Sequence, residues 1–179
     1  MFALSLRRRR GFKLLEIAVV VVVVAILAVF AIPVYTKLRG RAERVKCTSN
    51  LRSLYVAANA YVQENETWPQ IRLAGADDAS GREYATEWIQ ALAPSGPTPK
   101  TWICPTIQKL IQSPDYLKPE NVRTDYFAMT FDDKPSTPHQ WPKQPWFIER
   151  ADVHGNGNLM VLTDGSIIDL KTAAAKSGK

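Results

Sequence analysis

From Ala18 to Val34 the chain runs seventeen residues without a charge, and counting from Leu14 only Glu16 interrupts the apolar run. A helix rises 1.5 Å per residue, so about 20 such residues cross the roughly 30 Å hydrocarbon core of a bilayer. Val19 to Val24 are all β-branched and in water would favour a strand. In hydrocarbon the backbone must satisfy its own hydrogen bonds, so a helix is expected here. Arg7 to Arg10 precede it. One reading is a secretory signal peptide, with Val29 and Ala31 as the small residues before the cut. The length of the run and Glu16 argue against it. A second is a signal anchor. The positive-inside count leaves its orientation open, because Arg7 to Arg10 and Lys13 lie on one side and Lys37, Arg39, Arg41, Arg44 and Lys46 on the other.

A third reading accounts for Glu16. A carboxylate within a hydrocarbon segment costs about 3 kcal/mol on insertion scales, so such residues are usually paired and functional. Glu16 lies four residues after Phe12. A cut after Gly11 gives Phe12 a free ammonium, and Glu16 is its natural ion-pair partner, within one helix or between neighbouring subunits.

The stretch Gly11-Phe12-Lys13-Leu14-Leu15-Glu16, followed by the apolar run, resembles the class III signal of type IV prepilins and type II secretion pseudopilins. That resemblance implies cleavage after Gly11 by a membrane prepilin peptidase, N-methylation of Phe12, and assembly into a helical filament in which Glu16 takes part. Pro33, the twenty-second residue from Phe12, stands where these proteins carry a helix-bending proline. Lys13 departs from the usual Thr or Ser. The implied partners are the peptidase, other pilin-like subunits, an inner-membrane assembly platform and membrane lipid. The implied location is the bacterial inner membrane, single-pass with a periplasmic head, or an extracellular filament. The alternative from another class is a periplasmic enzyme or ligand-binding domain tethered by its N-terminal helix. A tether needs neither Gly11 nor Glu16.

Past Pro33 the pattern turns amphipathic. Leu51, Leu54, Tyr55, Ala58, Tyr61 and Val62 recur at helical spacing, with Cys47 one turn earlier. The spacing predicts one helix from about Leu14 to Glu64, ended by Asn65-Glu66-Thr67-Trp68-Pro69, with Glu43 and Arg44 among the charges on its surface. The expected organisation is a leader over 1–11, a membrane or filament-core helix over 12–34, its amphipathic continuation over 35–64, and a head over 65–179. Eleven of the twelve prolines lie between Pro69 and Pro145, which keeps the elements there short. Helices are expected around Tyr84–Leu92 and Ile107–Ile111, and strands at 126–131 and 146–149.

Leu159-Met160-Val161-Leu162-Thr163, Asp164-Gly165, then Ser166-Ile167-Ile168-Asp169-Leu170 reads as a two-residue hairpin with a type I′ turn. In that register Val161 faces Ile168, Leu159 faces Leu170 and Met160 faces Asp169, so Leu159, Val161, Ile168 and Leu170 form the core face. The tail beyond is expected to fray. The fold class is therefore α+β and pilin-like, a long helix packed on a small antiparallel sheet.

His154, nine residues, then Asp164-Gly165 resembles a pilin-like subgroup named for that spacing. Cys47-Thr48-Ser49-Asn50-Leu51 and Trp102-Ile103-Cys104-Pro105 fit the same subgroup.

The formal charge of +6 raises nucleic acid as a partner. Four of the basic residues are Arg7 to Arg10, and without them the chain is near neutral, so no nucleic-acid role is assigned. No nucleophile elbow or phosphate loop is present, and no catalytic residue is assigned. His154 with Asp152, Asp164 and Asp169 could suggest a base, a metal or a triad. His154-Gly155-Asn156-Gly157-Asn158 reads instead as a turn. Two cysteines and two histidines at wide spacing make no zinc module, and no metal is assigned. Calcium remains open on Asp152, Asn156, Asn158 and Asp164, which are not at loop-ligand spacing. Outside the cytoplasm Cys47 and Cys104 could bond, closing a loop worth about 4 kcal/mol in the chain-entropy model. The alternative is two small buried thiols. At least three of the five tryptophans are expected in the core.

Overall fold

The computed structural model describes residues 14–71, 78–112, 115–134 and 137–177. They divide into two compact units, one ending at Gly40 and one beginning at Arg41. Helix α1 runs Leu14–Asn65, through Pro33, and stops where Glu66 turns left-handed (φ 53°) and its N–H bonds back to Val62 O. Within the second unit α1 buries Cys47, Asn50, Leu51, Leu54, Ala57, Ala58 and Val62. These positions fall every third or fourth residue, the repeat of one helical face.

That face meets a four-stranded antiparallel meander, β1 Tyr126–Ala128, β2 Pro145–Glu149, β3 Leu159–Leu162 and β4 Ile167–Asp169, in spatial order β1-β2-β3-β4. Around it lie α2 Asp78–Leu92, α3 Pro105–Leu110, α4 Thr137–Gln140 and α5 Leu170–Ser177, with three short 3-10 turns between. Two prolines of the head sit where they do no harm. Pro105 opens α3 at its first position, where no donor is needed. Pro94 lies in the 3-10 turn that follows α2.

Aromatic rings fill what short elements cannot. Trp68, Trp88, Trp102 and Trp146 are buried, while Trp141 is 58% exposed. Trp68 is the hub, with ring centroids 5.2 Å from Trp146, 5.4 Å from Trp88 and 5.4 Å from Phe131. Such pairs contribute about 0.5–1.5 kcal/mol each beyond their burial. The Trp68 indole donates to Met129 O at 3.1 Å. Tyr84 closes the free edge of β1: its hydroxyl accepts from Ala128 N at 3.1 Å and bonds Ala128 O at 3.3 Å.

The C-terminal hairpin corrects the expected register. Leu159 faces Asp169, Met160 faces Ile168 and Val161 faces Ile167. The loop is the three residues Thr163-Asp164-Gly165, not two. Gly165 N bonds Leu162 O, Leu162 N bonds Ser166 O, and Gly165 has φ 79°. This is a type I turn closed by a left-handed glycine, the common three-residue loop. A one-residue slip moves every side chain on the return strand to the other face. Ile167, not Ile168, therefore joins Leu159 and Val161 against the core, and Leu170 leaves the sheet 52% exposed.

The slip also places Asp169 on the inner face, and this stops the tail from fraying. Asp169 Oδ1 accepts from Thr172 N at 2.9 Å and Thr172 Oγ1 at 2.6 Å, capping α5. Its Oδ2 takes the Arg44 guanidinium at 2.9 Å. Glu43 on the same turn of α1 accepts from Thr106 Oγ1 at 3.1 Å and pairs with Lys109. Two charges that looked like solvated surface are thus clamps to α3 and α5.

Hydrogen bonds from Thr172, then the Arg44 charge, hold the Asp169 carboxyl below its ordinary range, at about 2. A depressed carboxylate stabilises above its unfolded pKa, near 4, and the gain disappears as pH falls toward 2. Asp169→Asn keeps an acceptor for the α5 cap and should flatten the loss of stability between about pH 4 and 2. Asp169→Ala should additionally cost about 1 kcal/mol at neutral pH for the lost cap. Thermal unfolding of the full chain in detergent across that pH range measures both.

Gly165 gives a second test. A Cβ there would stand 3.0 Å from the Tyr55 ring, in a backbone conformation that itself costs a side chain about 1–2 kcal/mol. Gly165→Ala should lower the melting temperature. Gly81→Ala, in α2 with open space around it, should raise it through a gain of about 0.5–1 kcal/mol.

Candidate functional site

The first candidate is the N-terminal half of α1. Gly11 and Phe12 lie outside the described residues. Glu16 is in the first turn of the helix, where a carboxylate complements the helix dipole. Each large apolar side chain noted from Leu14 to Leu38, Phe30 and Tyr35 included, is at least 50% exposed. This is the one helix among the described residues long and apolar enough to cross a membrane. A continuous apolar surface of this size far exceeds the few hundred Å² that soluble monomers leave uncovered.

The second candidate is inside the head. Cys47 comes from the buried stripe of α1. Cys104 is the residue before α3, its N–H donated to Asp125 Oδ2 at 2.8 Å, and Asp125 is itself pinned by Arg123 Nε at 3.0 Å. Glu149 ends β2, on the same face as Phe147 and fully buried. His154 lies in the β2–β3 loop with its side chain 4% exposed, and its Nε2 stands 3.4 Å from Glu149 Oε1. One donor atom from each of the four residues lies within 4.8 Å of all the others.

Wide separation along the chain argued against a metal-type grouping, and the fold brings these four side chains together. The partner of His154 is Glu149, not Asp152, Asp164 or Asp169. Asp152 Oδ1 accepts from Gly155 N at 2.9 Å, and Asp164 Oδ1 accepts from Ser166 N at 2.9 Å and Ser166 Oγ at 2.6 Å. Asn158 donates to Glu149 O at 2.7 Å. Of the oxygen donors considered for calcium, Asp152 and Asp164 are thus spent on separate local turns. Loop 154–158 is a turn as read, but its imidazole points inward.

Glu149 was missed. Its one sequence signal is period two: it shares the strand face of Phe147, an unusual place for a carboxylate.

Cys47 and Cys104 are both buried and are not bonded to one another in this structure. Cys47 and Cys104 share a hydrogen bond that raises the Cys47 pKa and lowers that of Cys104 to about 6. Burial first, and the Cys104 thiol second, push Glu149 up to about 8. Neither Glu149 oxygen nor His154 Nε2 has a hydrogen-bond partner of ordinary geometry.

No family model matches the chain, and no solved structure matches it. Among curated proteins it is 36% identical over 61 residues to the type IV major pilin protein PilA of Myxococcus xanthus, covering 34% of this chain and 28% of that one. It is 39% identical over 62 residues to the type II secretion system core protein G of Pectobacterium carotovorum, 35% of this chain and 40% of that protein. The core protein G of Klebsiella pneumoniae is 38% identical over 64 residues, 36% of this chain and 46% of its own length. The chain thus spans less than half the length of each of these relatives. The N-terminal segment, about 60 residues, is distantly homologous to type IV pilins and type II secretion pseudopilins, and the arrangement of helix and sheet is pilin-like.

Proposed function

We propose that this chain is a structural, non-enzymatic subunit of a type IV pilus or type II secretion pseudopilus. One observation carries the reading: the apolar surface of α1 from Leu14 to Leu38 finds no cover among the described residues, and in the sequence it follows on Gly11-Phe12 and holds Glu16 near its start. Lipid covers such a surface while the subunit is stored in the inner membrane. Neighbouring copies cover it in a filament. A prepilin peptidase cuts after Gly11 and methylates Phe12, the head stands in the periplasm, and an inner-membrane platform drives assembly. Pro33 gives the helix a place to bend as it packs among other helices. The N-terminal homology to a major pilin and to secretion core proteins supports this reading.

Glu16 supplies register. Within one subunit it reaches the Phe12 ammonium. In a filament the same carboxylate meets the ammonium of the adjoining subunit. Attraction in a water-poor core is strong, but desolvating both charges opposes it, so the net gain is small. A wrong axial offset leaves a charge buried and unpaired, which is costly, and this selects one packing.

Protein recovered from its native membrane should begin at N-methyl-Phe12 by intact mass. A mature chain starting near Ile32, as after signal-peptidase cleavage, is incompatible with the proposal. Glu16→Ala should be cut normally, keep a folded head, and lose most of its sheared filament yield. Gly11→Val should block cleavage. Normal filament yield from Glu16→Ala would remove the assembly role and leave a tethered domain as the better account.

A further inference from the structure

From the convergence of Cys47, Cys104, Glu149 and His154 inside the head, we infer a structural zinc-type site that ties α1 to the sheet. It lies wholly in the second unit and does not depend on the filament reading.

The donor set is the first argument. Two thiolates, one imidazole and one carboxylate are ligands that a borderline-soft divalent cation takes in tetrahedral arrays. All four side chains are buried, the cysteines and Glu149 fully, and the donor atoms lie within 4.8 Å of one another. Zinc bonds of about 2.0–2.1 Å to nitrogen and oxygen set those two donors about 3.4 Å apart in a tetrahedron, and bonds of about 2.3 Å set two sulfurs about 3.8 Å apart. His154 Nε2 and Glu149 Oε1 already stand 3.4 Å apart. Shifts of about an ångström at side-chain tips close the rest.

Polar accounting is the second argument. Buried polar atoms are almost always paired, yet both Glu149 oxygens and His154 Nε2 lack hydrogen-bond partners, and all three belong to this cluster. A lone imidazole–carboxyl contact at 3.4 Å, too long for a good hydrogen bond, leaves two buried polar groups poorly satisfied. One cation bonded to both groups satisfies them together. On binding, the two thiols release their protons to solvent, and no electron is transferred.

The third argument is the scaffold. The backbones that carry the ligands are held by other polar contacts. Asp125 fixes Cys104 N, Asn158 fixes Glu149 O at 2.7 Å, and Asn50, one turn after Cys47, donates to Ile103 O at 2.9 Å. Such outer contacts orient ligands. Four protein ligands with no solvent-facing position make a closed, structural site. The head is assembled from short elements, and a cation joining α1, the segment before α3, the end of β2 and the β2–β3 loop is a cross-link among all of them.

The test uses the full-length chain purified in detergent without reductant or chelator. Metal analysis should find close to one zinc per chain, and thiols should react only after chelation or unfolding. Exchange with Co²⁺ should give intense tetrahedral visible bands and a thiolate-to-cobalt charge-transfer band. His154→Ala and Glu149→Gln should weaken Co²⁺ binding by more than the roughly 10–100-fold that loss of an outer partner costs. His139→Ala, which changes the other histidine, should bind normally. The single ligand changes at His154 and Glu149 keep both thiols, so a folding failure of Cys47→Ser does not decide the matter. A Cys47–Cys104 disulfide without metal overturns the proposal. So do two free thiols on a chain that takes up neither zinc nor cobalt, or a His154→Ala variant that binds as tightly as the parent.

Discussion

The buried face of α1 from Cys47 to Val62 is the surface on which the head is built. A small sheet with strands of three to five residues has one inner face and needs a partner for it. The α1 stripe supplies that partner as a rigid rod, so one element organises the packing of many short ones. The ring cluster around Trp68 fills the gaps that proline-limited helices and short strands leave. Large rings suit that task, because each buries much surface while ordering few rotatable bonds.

Polar contacts then fix what apolar packing leaves free. A stripe of leucine and alanine tolerates small slides along the helix. Glu43 pairing with Lys109 and Arg44 pairing with Asp169 do not, because each ties α1 to a fixed point on another element. Both charges lie one helical turn before Cys47. The start of the buried α1 stripe is thus fastened to the head by two ion pairs.

The composition of the helix changes along its length. Through Leu38 its apolar residues are spread around the whole circumference, as suits lipid or a crowd of other helices. From Arg41 most of them lie on one face, with Val45 and Val56 left exposed. Glu16 is the exception in the first part, and Asn50 is the polar residue admitted to the second, where it bonds Ile103 O.

Much of this was legible in the residues. The bounds of α1, the buried positions along it, α2 and α3, strands β1 and β2, and the burial of most tryptophans follow from local properties: apolar periodicity, proline as a stop, aromatic mass. Two things were not legible. The hairpin register depends on whether Asp164-Gly165 closes a two-residue or a three-residue loop, and both suit Asp-Gly. The choice was made by what the inner face must meet, with Arg44 across from Asp169 and Tyr55 against Gly165. The Cys47, Cys104, Glu149 and His154 cluster was missed because its members lie on four separate segments and no local signal says that they converge. Periodicity and turn chemistry act over a few residues and can be read along the chain. Register and convergence are set by contacts between segments distant in sequence, and only the folded head brings those segments together.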